Sequence, residues 1–111
     1  MHDLANPETP KSAIGYLVQA LKLRRDRGLS AFSVLSCDNV PENGHVARRA
    51  VLGYAYLLDK ELAGWIETHV PFPCTMVDRI VPAATAETLA DVEKLLGVAD
   101  TCGIATEPFR Q

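Results

Sequence analysis

The fold class follows from residues 31–44, which read AFSVLSCDNVPENG. Residues 31–36 form a short run that is mostly apolar and partly β-branched or aromatic, a composition typical of a buried strand. Residues 37–44 are rich in turn formers, so the predicted strand ends where they begin. Residues 74–77 predict a second strand, which ends at Asp78.

Amphipathic helices are predicted around these strands from the spacing of apolar residues and from capping residues. They begin at Thr9-Pro10, His45, Asp59 and Thr85. Gly28 ends the first helix and Gly97 ends the last, because glycine readily adopts the left-handed conformation that follows a helix. In the last helix an apolar face is expected to point inward, formed by Leu89, Val92, Leu95 and Leu96.

The order of these elements predicts an α/β fold. A further short strand at 101–106 would give about three strands with four flanking helices. Strands separated by helices pair in parallel through right-handed crossovers, and a parallel sheet is covered on both faces. Three strands make a narrow sheet, which favours a chain whose neighbouring strands lie elsewhere in a longer protein. Residues 1–9 are expected to be an extended segment, and residues 10–111 the domain itself.

Composition and charge argue against several classes of function. A net charge of -3 gives no electrostatic attraction to nucleic acid or to an anionic membrane. No apolar run approaches the roughly 20 residues that cross a bilayer, and the start of the chain lacks the pattern of an export signal. The cysteines are too widely spaced for a structural zinc site or a disulfide framework. We therefore expect a cytoplasmic protein without a metal.

Polar side chains gather where the first two predicted strands end, which is where open parallel sheets bind ligands. The first strand leads into Ser36, Cys37, Asp38 and Asn39, and the second leads into Asp78. If the strands are neighbours, Asn39 and Asp78 face the same crevice. Each also has a structural interpretation, Asn39 as a turn residue that bonds its own backbone and Asp78 as an ion-pair partner of Arg79.

Some expected parts of an active site are missing from the sequence. The glycine-rich motif that binds the phosphates of dinucleotides is absent. Asn43 and Gly44 precede a predicted helix, where they either offer backbone amides to an anion or simply permit a tight turn. No lysine is placed to act as a desolvated base. These residues alone therefore fall short of a complete catalytic site.

Two motifs resemble the mannitol dehydrogenase family of long-chain polyol-specific dehydrogenases and reductases. Residues 36–48 resemble its SCDN…NG stretch, and residues 70–82 resemble its signature of an aromatic residue followed by V-D-R-I-x-P. Residues 107–111 are similar to its E-P-F-x-Q-W segment. The likeness extends over essentially the whole chain from Leu4.

This resemblance implies the second half of a Rossmann-type nucleotide-binding domain from a longer enzyme. It implies metal-independent hydride transfer between NAD, or NADP, and a sugar alcohol or aldonate with its matching 2-ketose or keto-uronate. It also implies that Asn39 polarises the substrate carbonyl, and that the cofactor is approached by Ser36, Cys37, Asp38, Val77 and Asp78. The phosphate-binding loop and the catalytic lysine would lie outside this chain.

Two further expectations accompany the dehydrogenase hypothesis. The alternative function is a stand-alone α/β module that binds a ligand or partner without catalysis. An isolated piece of a sheet would also leave backbone groups unpaired and apolar surface exposed, which predicts self-association of the chain.

Overall fold

A computed structural model describes residues 2–108, so residues 109–111 of the family-like ending lie outside the described range. The described residues form five helices, namely α1 (His2–Ala5), α2 (Ala13–Asp26), α3 (Asn43–Leu58), α4 (Lys60–His69) and α5 (Ala86–Leu96). The chain divides into two compact units, Met1–Met76 and Val77–Gln111. Within the described range, no helix is long and apolar enough to cross a membrane.

The core of the first unit is formed by one face each of α2, α3 and α4, together with Val34 and Val70 from the segments that follow α2 and α4. Its fully or nearly fully buried side chains are Val18, Leu21, Val34, Val51, Ala55, Leu62, Ala63, Ile66 and Val70.

Asp59 alone separates α3 from α4, and its carboxylate accepts hydrogen bonds from the backbone N–H groups of Glu61 and Leu62 at 2.8 and 3.2 Å. These backbone bonds lower the pKa of Asp59 and confirm it as the predicted cap.

A buried carboxylate fixes the start of the chain to α2. Asp3 accepts hydrogen bonds from the backbone N–H groups of Lys11 and Ser12 at 3.0 and 2.9 Å, and from the Ser12 hydroxyl at 2.5 Å. These donors, with the Ser12 hydroxyl foremost, hold the pKa of Asp3 well below its usual range. The hydroxyl of Tyr54 in α3 donates to the backbone oxygen of Asp3 at 2.8 Å, so three helices meet at this residue.

The four predicted helices are confirmed, although two of them start elsewhere than expected. Ser12 replaces Thr9 as the cap of α2, because its hydroxyl accepts the N–H of Gly15 at 3.0 Å. α3 begins at Asn43, two residues before the predicted start. The expectation of an extended segment over residues 1–9 is wrong for the four residues of α1, where the Asp3 contacts hold a short helix in place.

The described residues contain no β-strand, so the three predicted strands are not confirmed. Residues 31–38 and 70–76 nevertheless run side by side, and the N–H of Val34 donates to the backbone oxygen of Pro71 at 2.9 Å. A parallel ladder in this alignment also needs N–H groups at positions 71 and 73 to donate to the carbonyls of Phe32 and Val34. Both positions are proline, which has no N–H, so the ladder cannot form there.

The second unit buries little side-chain surface. The Thr85 hydroxyl caps α5 by accepting the N–H of Thr88 at 3.2 Å, as the sequence predicted. No residue of α5 is buried, and Leu95 remains 84% exposed and Leu96 59% exposed. The prediction that these two leucines point inward is therefore wrong. In place of a strand at 101–106, the N–H of Glu107 donates to the backbone oxygen of Ile80 at 3.3 Å.

Candidate functional site

The polar stretch after residue 35 is held against the start of α3 by a buried amide. Asn43 is only 1% exposed, although its side chain is polar. Its Nδ2 lies 2.7 Å from Oγ1 of Thr75 and 3.2 Å from the backbone oxygens of Ser36, Asp38 and Thr75. Its Oδ1 accepts the backbone N–H of Thr75 at 2.9 Å. One side chain therefore joins the ends of the 31–38 and 70–76 segments.

The Thr75 hydroxyl completes this connection. It donates to the backbone oxygen of Ser36 at 2.6 Å and accepts from Nδ2 of Asn43. In a parallel ladder the Ser36 oxygen would receive the Thr75 N–H directly. Here the Asn43 amide stands between the two groups, accepting from one and donating to the other. We call Asn43, Thr75 and the Ser36 carbonyl the amide junction.

The start of α3 is covered by carbonyl groups of the chain itself. A Cβ atom on Gly44 would lie 2.5 Å from the backbone oxygen of Pro73 and 2.6 Å from that of Phe72, so only glycine permits this close approach. Gly44 is buried as a result. Asn43 and Gly44 are therefore packed against the 70–76 segment. Their backbone N–H groups are not open to an anion, which was one of the two interpretations that the sequence allowed.

Three of the predicted cofactor-contacting residues line one cleft of the first unit. This cleft has a volume of about 360 Å³ and lies between α2, the 31–38 segment and α3. Its polar wall includes Ser36, Cys37 and Asp38, and the Ser36 hydroxyl accepts the N–H of Asp38 at 3.3 Å. Its apolar wall is formed mainly by Ile14, Leu17, Leu35, Val40 and Val46. Mostly apolar walls with a few polar groups are typical of small-molecule sites.

The other predicted site residues lie next to this cleft in the sequence or in the second unit. Asn39 is an exposed residue at the bend that directly follows Asp38. Val77 and Asp78 open the second unit, with Val77 partly buried and Asp78 exposed. The catalytic and cofactor-binding roles of these residues stay predictions. Among residues 2–108, no group of three histidine, cysteine, aspartate or glutamate side chains could hold a metal ion.

Sequence reasoning missed the part played by Asn43 and Thr75. An asparagine before a glycine at the start of a helix usually indicates a turn or a cap. The available signal was the pair Pro71 and Pro73. Proline has no backbone N–H, so this pair removes two hydrogen-bond donors from the 70–76 segment, which runs beside the 31–38 segment. Buried carbonyls still need donors, so side chains must supply them.

Comparison with known proteins defines first the class and then the family. The fold is that of an α/β nucleotide-binding domain, as in two solved dehydrogenases that each superpose with a TM-score of 0.70. These are D-sorbitol dehydrogenase in its substrate-free form, 48% identical, and Pseudomonas fluorescens mannitol 2-dehydrogenase in a ternary complex with NAD and D-mannitol, 44% identical. Residues 5–111 match the Rossmann domain of mannitol dehydrogenases, and the chain belongs to that family.

The chain is much shorter than the proteins it resembles. It is 68% identical over 110 residues to D-mannonate oxidoreductase of Escherichia coli strain K12. That match covers 99% of this chain and 23% of the relative. The two structural matches likewise cover 99% of this chain, but only 23% of the sorbitol enzyme and 22% of the mannitol enzyme. The resemblance predicted from the two motifs is thus confirmed along nearly the whole sequence.

Proposed function

We propose that this chain is part of a longer NAD-dependent dehydrogenase that interconverts a sugar alcohol or aldonate and its 2-ketose or keto-uronate. Residues 10–111 would be the C-terminal half of its Rossmann-type domain. Residues 31–36, 74–77 and 101–106 would contribute strands to the complete sheet. The observation that carries the proposal is the cleft lined by Ser36, Cys37 and Asp38, in a chain of the mannitol dehydrogenase family.

The cleft suits the nicotinamide end of the cofactor better than its phosphates. Its apolar walls match a flat ring, and Ser36 and Asp38 supply polar groups at the edge. The described residues offer no glycine-rich phosphate loop, and the carbonyls of Phe72 and Pro73 cover the start of α3. The pyrophosphate and the adenosine ribose would therefore be bound by residues outside this chain. NADP would suit these residues equally well.

Asn39 is the residue of this chain that we propose to act on the substrate carbonyl. The bound nicotinamide would supply a hydride to the carbonyl carbon of the ketose, or accept one from the alcohol. During reduction, negative charge grows on the carbonyl oxygen, and a donated hydrogen bond from the Asn39 amide would stabilise it. The family resemblance assigns Val77 and Asp78 to the cofactor as well. The proton would come from a lysine outside residues 1–111.

The substrate class is proposed from the relatives. An identity of 68% to D-mannonate oxidoreductase, against 50% to a mannitol 2-dehydrogenase, favours the mannonate and fructuronate pair, with mannitol and fructose second. A cytoplasmic location is supported by Cys37, Cys74 and Cys102, which are all free and exposed. The expected binding partner is the substrate itself, a small sugar derivative.

The complete protein tests this proposal directly. It should oxidise NADH when supplied with fructuronate, and the same assay with fructose and tagaturonate would define its range. The 111-residue chain alone should give no turnover, and it should self-associate in sedimentation through the exposed side chains of α5. Absence of ketose or keto-uronate reduction by the complete protein would refute the dehydrogenase proposal and favour a binding module.

The variant Asn39→Ala tests the proposed role of this amide. In the complete protein it should lower kcat by about 100- to 1,000-fold, the typical effect of removing one donor to a developing oxyanion. Asn6→Ala is the matched control, because Asn6 is an exposed asparagine whose side-chain amide donates to the backbone oxygen of His2. An Asn39→Ala enzyme with unchanged kcat would show that the carbonyl is polarised by another group.

A further inference from the structure

We infer that Asn43 and Thr75 are positioning residues that set the location of the Asn39 amide through the amide junction. The inference rests on the proposed function, because Asn39 matters only if it contacts the substrate carbonyl. It assigns a specific task to two residues that contact no reacting atom in that proposal, although Asn43 also borders the cleft.

The first argument is the identity of the groups that Asn43 holds. Its Nδ2 lies 3.2 Å from the backbone oxygen of Asp38, which belongs to the peptide group that joins Asp38 to Asn39. The same nitrogen lies 3.2 Å from the backbone oxygen of Ser36. The chain is therefore held on both sides of Cys37, and the second point of attachment is the peptide group of Asn39 itself.

The second argument is that Asn43 needs Thr75 to hold its own orientation. An asparagine Nδ2 carries two hydrogens, and four oxygens lie within 3.2 Å of this one. The shortest of these distances, 2.7 Å, is to the Thr75 hydroxyl, and the Thr75 N–H fixes the amide oxygen at 2.9 Å. Because the Asn43 side chain is buried, water cannot replace a lost partner without disturbing the core.

The third argument is the scarcity of other polar links between the two segments. Within residues 31–38 and 70–76, a single backbone hydrogen bond joins them, from Val34 to Pro71. Pro71 and Pro73 cannot donate further bonds. The position of residues 36–38 relative to the second segment is therefore set mainly by Asn43 and Thr75 rather than by a ladder.

The variant Thr75→Val in the complete enzyme is the main test, since valine has the shape of threonine without its hydroxyl. Misplacing a group by about 1 Å can cost about 100-fold in rate, so we expect kcat to fall by about 10- to 100-fold. Thr75→Ser keeps the hydroxyl and should restore most of the activity. Asn43→Asp is a harsher change, because it places a charge in a buried site and risks loss of folding. Thr75→Val therefore carries the test.

A double variant separates positioning from general damage. If Thr75 acts through Asn39, then Asn39→Ala combined with Thr75→Val should be no slower than Asn39→Ala alone, because the group being positioned is already gone. A merely structural role would make the two losses multiply. Hydrogen exchange without nucleotide supplies a second readout. Thr75→Val should speed exchange in peptides covering residues 36–43 and leave those covering α5 unchanged.

The outcomes distinguish this inference from the proposed function. Multiplying losses in the double variant, equal activity of Thr75→Val and Thr75→Ser, or unchanged exchange at residues 36–43 would overturn the positioning role. The dehydrogenase proposal would still stand if Asn39→Ala alone were slow. If the unsubstituted enzyme reduces no ketose or keto-uronate, both proposals fall together.

Discussion

The two units of the chain are built from similar amphipathic helices but differ in what they bury. In the first unit, Leu21, Leu62 and Ile66 are at most 1% exposed, and side chains from α2, α3, α4 and the two segments close around them. In the second unit, α5 has the same spacing of apolar residues, and none of its residues is buried. Apolar spacing thus predicts a helix and its apolar face, whereas burial of that face depends on what the rest of the fold places against it.

The contrast has a local cause. A single helix cannot bury its own apolar stripe and depends on neighbouring elements to do so. The first unit supplies such neighbours on several sides. Between residues 77 and 108, the second unit offers α5 short stretches without helix or strand, and this part of the chain is held by the Thr85 cap and by the bonds between Ile80 and Glu107. The first unit therefore draws its stability mainly from a core, and the second mainly from hydrogen bonds.

The largest expected effect compares a buried with an exposed aliphatic side chain. Ile66→Ala in α4 should lower the free energy of unfolding by about 2–5 kcal/mol, because it leaves a cavity in a closed core. Leu95→Ala in α5 should change it by less than about 0.5 kcal/mol, since that side chain is already solvated. Urea unfolding of both variants provides the measurement. Equal losses would mean that α5 is covered after all, and the comparison would fail.

A smaller effect is expected from adding a methyl group at glycines of the two units. Gly44→Ala should destabilise by about 1–3 kcal/mol, because its Cβ would meet the rigid backbone carbonyls of Phe72 and Pro73. Gly103→Ala in the second unit should cost less, since its Cβ would meet the side chain of Val92, at 2.9, 3.0 and 3.2 Å, rather than backbone carbonyls.

A control within α3 sharpens the comparison of Gly44→Ala with Gly103→Ala. A Cβ on Gly53 meets nothing within 4 Å, so Gly53→Ala should stabilise by about 0.5–1 kcal/mol through helix propensity alone. Thermal melts of all three variants suffice. If Gly44→Ala proved as harmless as Gly53→Ala, then the close approach at the start of α3 would be disproved.

A pH-dependent effect on the first unit is expected from Asp3. Its folded pKa lies below the unfolded value of about 3.9, so the ionised carboxylate stabilises the fold above about pH 4. That contribution is lost as the pH falls through the folded pKa. Asp3→Asn should therefore flatten the decline of Tm between about pH 5 and 2. Asp26→Asn, at an exposed ion pair with Lys22, should alter the slope less. Equal slopes would argue against the Asp3 contacts.

Much of the helical architecture could be predicted from the sequence. Asp59 and Thr85 cap the helices that were assigned to them, and Gly28 and Gly97 adopt the left-handed conformation at φ 67° and 73°. These features are local, since a cap or a stop depends on residues within one turn. α1 was missed because its support comes from Lys11, Ser12 and Tyr54, which no local pattern connects to Asp3.

The candidate site was predictable in part. The two motifs identified the family and selected Ser36, Cys37 and Asp38, which line one cleft. The strands stay predictions: their apolar composition favours them, whereas Pro71 and Pro73 lack two of the N–H groups that a ladder between the two segments needs. Asn43 was missed because its importance depends on a contact with Thr75, 32 residues further along the chain.

The amide junction also determines the register of the two segments. In most paired strands, register is set by a row of backbone bonds together with apolar patterning. Here a slip of two residues would keep apolar side chains on the same face, but it would separate Asn43 from Thr75. A buried polar group without partners costs about 1–3 kcal/mol. A single buried amide would therefore select one alignment from several that the apolar side chains alone would accept.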